Sequence, residues 1–180
     1  MADESWTETA DVETFEAYVA DVLAADARKK DGTMSLLLTC IDYRYPRRIL
    51  DAMQRFTPGV PYDQFILAGA SLGASREDWL NVLVQHVDGA RALGHRIERI
   101  VILDHRDCGA YQQPRKLGIP EYVLPVSLPK DILPSAEKMW HENVLAEVVP
   151  EIRRRLAHIP NMKIDAWLLT REQDDPLAIR

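Results

Sequence analysis

Three side chains of this sequence could bind a transition metal together: its two cysteines and one histidine. Cys40 follows a mostly apolar run at residues 34–39. His105 and Cys108 form a His-x-x-Cys pair after a second such run, at residues 97–103. Two thiolates and one imidazole are a zinc ligand set that leaves a fourth tetrahedral position open. Zinc lowers the pKa of a water bound there, in favourable sites to about 7, although two thiolates weaken this effect by cancelling the charge of the metal.

Two more polar side chains follow Cys40 at a regular spacing. In an extended chain Asp42 points to the same side as Cys40, because the two are two residues apart. Arg44 is again two residues on, which favours a carboxylate–guanidinium pair that fixes Asp42 in one orientation. Asp42 then accepts a hydrogen bond from the nucleophilic water, or it binds zinc directly and closes the site. The sequence leaves both alternatives open.

Short apolar runs and helical spacing alternate along the chain. Apolar runs without alternation are typical of strands that are covered on both faces. Predicted strands cover residues 34–39, 64–68, 97–103 and 163–169. Predicted helices cover residues 11–30, 46–56, 75–94 and 135–158, and Pro150 is expected to kink or split the last one. This order predicts a single α/β domain with a mainly parallel central sheet of four or five strands, flanked by helices.

The predicted sheet gives the ligands a common location. In an open α/β sheet, ligands bind beyond the carboxyl ends of the strands, where the strand order reverses. Cys40 and His105 reach the same crevice if their two strands are neighbours. Residues 1–33 are expected to form a helical arm that packs on the core or on a partner subunit, and residues 34–180 to form the zinc-binding domain. The proline-rich section before residue 135 is expected to be a lid, a binding segment or a subunit contact.

Length and charge exclude several classes of protein. A chain of 180 residues is long enough for one domain with a normal core. The formal net charge of −6 argues against a nucleic-acid partner. No apolar run is long enough to cross a bilayer, and the acidic start lacks the features of a signal peptide. A cytoplasmic protein is therefore expected, and in that compartment two cysteines are more often metal-binding or catalytic than disulfide-bonded.

The two motifs, in this order and at strand ends, resemble those of the β-class carbonic anhydrases. The family patterns Cys-x-Asp-x-Arg and His-x-x-Cys-Gly are matched by residues 40–44 and 105–109. Further similar positions are Pro46, Phe65, and residues 68–69, 142–144 and 166–169. The resemblance covers the chain from about residue 34 to its end.

This resemblance implies both a reaction and an assembly. It implies Zn²⁺ on Cys40, His105 and Cys108, an Asp42–Arg44 pair, and a lyase that reversibly hydrates carbon dioxide to bicarbonate. It also implies a homodimer or a higher homo-oligomer, with the active-site cleft near the subunit interface and the N-terminal helix on the partner.

Three positions depart from the family pattern. Residues 66–67 are Ile-Leu where the family usually has Arg-Asn, Asp104 replaces a usual glycine, and Arg47 replaces a frequent glutamate. The resemblance implies that these positions lie around the substrate pocket, so they are expected to bear on the substrate more than on the metal. Two alternatives stay open: a non-catalytic zinc-stabilised or bicarbonate-sensing protein, and a hydrolase of carbon disulfide or carbonyl sulfide.

Overall fold

Strands and helices alternate through the computed structural model of the chain, which describes residues 33–57, 59–119, 133–169 and 177–178. The predicted N-terminal arm and most of the proline-rich section lie outside the described residues. The elements in chain order are β1 (Thr33–Cys40), α1 (Pro46–Phe56), β2 (Tyr62–Leu67), α2 (Ser71–Ala74), α3 (Glu77–Ala92), β3 (Arg96–His105), α4 (Gly109–Gln112), a 3₁₀ helix (Pro114–Leu117), α5 (Leu133–Arg155), β4 (Lys163–Leu169) and β5 (Leu177–Ala178).

The strands form one sheet in the order β2-β1-β3-β4-β5. Strands β1 to β4 are all parallel, and the two-residue β5 pairs with β4 in the antiparallel direction. The chain adds β2 on one side of β1 and then β3 on the other side, so the strand order reverses between β1 and β3. The predicted α/β class with a mainly parallel sheet is confirmed, and the reversal point is the usual ligand position of such sheets.

Helices cover both faces of the sheet, which is why the strands read as continuous apolar runs. Leu36 belongs to an apolar cluster with Leu83 of α3, whereas the next residue, Leu37, belongs to a second cluster with Met53 of α1. Each of these side chains is fully buried, which stabilises the fold by about 1.5–3 kcal/mol per side chain. A one-residue shift of register would move each of these side chains to the opposite face, where it does not fit the packing, so the packing fixes where each strand ends.

Helix α5 runs without interruption from Leu133 to Arg155, so the predicted split at Pro150 is wrong. Proline removes one main-chain hydrogen bond from a helix. The buried side chains Val144, Val148 and Ile152 anchor the helix before and after that point, and this packing outweighs the missing bond. In the described part of the chain, no helix has the length and apolar character needed to cross a membrane.

Candidate metal centre

The three predicted ligands meet at the carboxyl edge of the sheet. Cys40 is the last residue of β1, His105 is the last residue of β3, and Cys108 immediately precedes α4. All three are buried, and one ligand atom of each lies within 4.8 Å of the others. The two sulfur atoms are 3.9 Å apart. Two thiolates bound to tetrahedral zinc at its usual Zn–S distance lie about 3.8 Å apart, so the observed spacing fits this ion.

The imidazole of His105 has one nitrogen engaged and one unsatisfied. Its Nδ1 lies 2.8 Å from the carbonyl oxygen of Arg106, which makes Nδ1 the donor and leaves the lone pair on Nε2. Nε2 is buried and has no hydrogen-bond partner among the described residues. The ring of Tyr45 lies against the imidazole, with ring centroids 4.4 Å apart. Buried polar atoms rarely lack a partner, and a metal ion next to the two thiols would satisfy Nε2.

The two thiols have opposite tendencies to ionise. The S–H of Cys108 beside Cys40 lowers the pKa of Cys40, although burial acts in the opposite direction. His105 and the main-chain N–H of Gly69, which lies 3.3 Å from the Cys40 sulfur, lower this pKa further. The same contact and burial raise the pKa of Cys108. The pair therefore shares one proton, which a divalent cation between the sulfur atoms would replace.

Asp42 and Arg44 form the pair that their spacing predicts. Arg44 Nε lies 2.8 Å from Oδ1 of Asp42 and Nη2 lies 2.5 Å from Oδ2, so the guanidinium holds both carboxylate oxygens. This contact lowers the pKa of Asp42 to about 2. Oδ2 is 3.7 Å from Nε2 of His105, so the carboxylate lies beside the three ligands in a fixed orientation.

Arg44 also joins the two ligand-bearing loops. Its Nη1 lies 3.0 Å from a carboxylate oxygen of Asp107, and its Nη2 donates to the Asp107 carbonyl at 2.8 Å. Asp107 has a φ of 56°, which is left-handed, and its N–H donates to the carboxylate of Glu137 on α5. Sequence reasoning missed these two acids: Asp107 is a variable position of the motif, and Glu137 is distant in the chain. The left-handed conformation of Asp107 is unfavourable for a residue other than glycine, and the contacts with Arg44 and Glu137 stabilise it.

A cavity of about 570 Å³ opens on two of the predicted ligands, Cys40 and Cys108. Its polar side chains belong to Cys40, Asp42, Arg44, Cys108, Gln113 and Lys116. The rest of its described wall consists of Ile41, Tyr43, Ala68, Gly69, Gly109, Ala110 and Leu117. A mostly apolar cavity with a few convergent polar groups is typical of a small-molecule site.

The positions that depart from the family pattern lie in different surroundings. Ile66 lines a neighbouring cavity of about 390 Å³, which shares residues 40–43 with the first. Asp104 is 1% exposed and is not part of either cavity wall in the described part of the chain, so the expectation that it lies around the substrate pocket is wrong. Instead it bonds to Ser71, Tyr111 and His141, a set of contacts that sequence reasoning missed. The sequence contained one sign of these contacts: Asp104 is an acidic residue at the end of an apolar strand, where a buried carboxylate requires hydrogen-bond partners.

Solved structures with the same architecture are carbonic anhydrases. The carbonic anhydrase from Glaciozyma antarctica aligns over 98% of this chain and 99% of its own, with a TM-score of 0.50 and 15% identity. One of two tetrameric β-carbonic anhydrases from the ascomycete Sordaria macrospora aligns over 92% of this chain and 91% of its own, with a TM-score of 0.53 and 12% identity. The chain has the β-carbonic anhydrase fold. At these identities the likeness concerns the fold alone.

Sequence comparisons find relatives without a described function. An uncharacterized protein of Rickettsia bellii (strain RML369-C) is 32% identical over 82 residues, which are 44% of this chain and 49% of that protein. A second, from Rickettsia conorii, is 32% identical over 81 residues, which are 43% of each chain. The chain spans about half the length of the curated relatives it matches. No family model matches the chain.

Proposed function

We propose that the protein is a zinc-dependent enzyme that reversibly hydrates carbon dioxide to bicarbonate and a proton. The observation that carries the proposal is the clustering of Cys40, His105 and Cys108 beside a cavity that is lined by the two thiols and the Asp42–Arg44 pair. Zinc, when bound, supplies the Lewis acidity that makes water a nucleophile near neutral pH. A likeness in fold to carbonic anhydrases supports the same assignment.

Each group at the cavity has a proposed task. The two thiolates and the imidazole hold the metal. Asp42 accepts a hydrogen bond from the nucleophilic water and orients it, while Arg44 fixes the carboxylate through both oxygens. This engagement by Arg44 supports an orienting role for Asp42 rather than a fourth ligand. The apolar wall, which includes Ile41 and Ala110, suits an uncharged triatomic substrate.

A stopped-flow hydration assay on zinc-loaded protein tests the proposal. Replacing Asp42 with asparagine should lower kcat by about 100-fold or more while zinc content stays unchanged, because positioned proton-accepting groups contribute on this order. The matched control is Asp78→Asn, because Asp78 forms a similar forked pair with Arg76, at 2.9 and 2.6 Å, on the surface. That variant should keep wild-type turnover.

Two results would contradict the proposal. Zinc-loaded protein without turnover from neutral to alkaline pH would favour the zinc-stabilised or bicarbonate-sensing alternative. Sulfide release from carbon disulfide or carbonyl sulfide, with no hydration of carbon dioxide, would favour the hydrolase alternative.

We also propose that the protein is a homo-oligomer. Ile41, Tyr43 and Ile66 are 64%, 87% and 50% exposed, and all three lie at the end of β1 or on the edge strand β2, beside the site. A second copy of the chain would cover these apolar side chains, and residues 1–33 would form the arm that packs on the core or the partner. The cytoplasm stays the expected compartment because zinc binding requires both thiols reduced.

A further inference from the structure

A buried carboxylate beside the metal centre has a complete set of hydrogen-bond donors. Asp104 directly precedes His105 and is 1% exposed. Its Oδ1 accepts the main-chain N–H of Ser71 at 3.1 Å. Its Oδ2 contacts the hydroxyl of Ser71, lies 2.9 Å from Nδ1 of His141, and is 3.3 Å from the hydroxyl of Tyr111. A carboxylate inside an apolar strand requires such partners, because burial without them is strongly unfavourable.

Two of these donors lie on segments that reach the thiol ligands. Ser71 comes two residues after Gly69, whose N–H donates to the sulfur of Cys40. Tyr111 lies in α4, three residues after Cys108. Asp104 therefore ties the loop that contacts Cys40 and the helix that follows Cys108 to the strand that ends in His105.

The third donor connects the long helix to the same point. His141 is fully buried on α5, and its ring lies against that of Tyr111, with centroids 4.0 Å apart. One turn earlier on α5, the carboxylate of Glu137 accepts the N–H of Asp107, which lies between the ligands His105 and Cys108 in the chain. Helix α5 thus contacts the chain on both sides of His105, once at Asp107 and once at Asp104.

We propose that Asp104 is a positioning residue for the metal centre. It holds the Gly69 loop, the start of α4 and the end of β3 at the separation that places Cys40, Cys108 and His105 around one ion. No atom of Asp104 borders the described cavity, so it acts without touching substrate. The inference rests on the proposed zinc site and is independent of which substrate that site converts.

Zinc affinity measured against a competing chelator tests the proposal. Asp104→Asn should weaken zinc binding by about 10- to 100-fold, which is the usual effect of losing a group that orients metal ligands. Ser71→Ala and Tyr111→Phe each remove one tether and should weaken binding in the same direction by less. The absorption bands of the cobalt-substituted protein should shift in Asp104→Asn, because its ligand geometry relaxes.

Two controls separate positioning from general stability. Asp165 lies on β4, away from the predicted ligands, and its carboxylate pairs with Arg99 at 2.6 Å. Asp165→Asn should therefore leave zinc affinity unchanged. Leu83→Ala opens the core at α3, where Leu83 is fully buried; it should unfold at lower urea concentration and still bind zinc like the wild type when folded.

Three outcomes would overturn the proposal. The first is zinc affinity of Asp104→Asn within about twofold of the wild type with an unshifted cobalt spectrum. The second is an equal loss of affinity in Leu83→Ala. The third outcome applies if Asp104→Asn fails to fold: zinc affinity that is unchanged in both Ser71→Ala and Tyr111→Phe would then overturn the proposal. A wild-type protein that binds zinc but does not hydrate carbon dioxide would end the proposed function and leave this inference intact.

Discussion

Gly69 lies in the loop that contacts the predicted ligand Cys40. Its φ of +78° is left-handed, and its N–H donates to the Cys40 sulfur at 3.3 Å. A Cβ at this position would lie 2.9 Å from the Cβ of Ala110, which is closer than side chains normally approach. Both the conformation and the space require glycine here.

We expect Gly69→Ala to lower the free energy of unfolding by about 1–3 kcal/mol, because a side chain is strained at this φ and clashes with Ala110. Zinc affinity should fall with it, since the N–H that contacts Cys40 must move. The control is Gly89→Ala, at an exposed position of α3 where a Cβ meets no atom within 4 Å; it should raise stability by about 0.5–1 kcal/mol. Urea unfolding measures the stability of both variants. A Gly69→Ala protein that is no less stable than Gly89→Ala would contradict this prediction.

The residues of the site differ in how far the sequence could reveal them. The proximity of Cys40, His105 and Cys108 was predictable because their types and spacing are typical of zinc sites and both apolar runs were recognisable strands. Asp104 is visible in sequence only as an acid at the end of an apolar strand. Its partner His141 is 37 residues away on another element, and no local pattern encodes a contact between two such distant side chains.

At the scale of elements, Pro150 lies exposed within the continuous helix α5. Pro150→Ala should raise the free energy of unfolding by up to about 3 kcal/mol, because alanine restores the N–H that can bond to the carbonyl of Ala146. The control is Ala146→Gly, also exposed on α5, which should lower it by about 1 kcal/mol. A less stable Pro150→Ala protein in urea unfolding would mean that the proline shapes the helix for packing.

A charge cluster connects α5 to α3. Arg155 Nη2 lies 2.5 Å from a carboxylate oxygen of Glu77 on α3, and its Nε lies 2.7 Å from Glu151. Hydrogen bonds from Arg154 and then Arg155 lower the pKa of Glu151 from 4.5 to about 2. A carboxylate with a lowered pKa stabilises the folded state above its ordinary pKa, and this contribution disappears as the pH falls through the lowered value.

The stability of Glu151→Gln relative to the wild type should therefore depend on pH. The wild type should be the more stable protein by a small, constant margin above pH 4.5, and the margin should shrink as the pH falls toward 2. Thermal unfolding across this range measures it. High salt should reduce the margin because exposed pairs are screened, and a margin that widens on acidification would contradict the assignment.

At the scale of the whole molecule, the order of the strands in the sheet was only partly predictable from the sequence. Alternating strands and helices predicted a parallel sheet, but such alternation is compatible with more than one strand order. The adjacency of β1 and β3, with Thr39 beside Leu103, is what brings Cys40 next to His105. That adjacency depends on packing of both sheet faces, which no single stretch of sequence specifies.

On this larger scale the oligomer proposal makes a prediction about mass. Light scattering should give a multiple of the 20.5 kDa chain mass for the wild type. Ile66→Lys should shift the protein toward the monomer, because it places a charge on the exposed edge strand β2 beside Ile41 and Tyr43. Leu93→Lys is the control: Leu93 is 82% exposed, directly follows α3, and should tolerate the charge. A monomeric wild type would contradict the proposal.

Metal analysis of the purified protein tests the central claim most directly. We expect about one zinc ion per chain in the wild type, as three ligands around a single ion require. Cys108→Ser and His105→Ala should lose the zinc, while His158→Ala, which changes a histidine that pairs with Asp88 on the surface, should keep it. A folded wild type without zinc, or a Cys108→Ser protein that retains a full complement, would contradict the account.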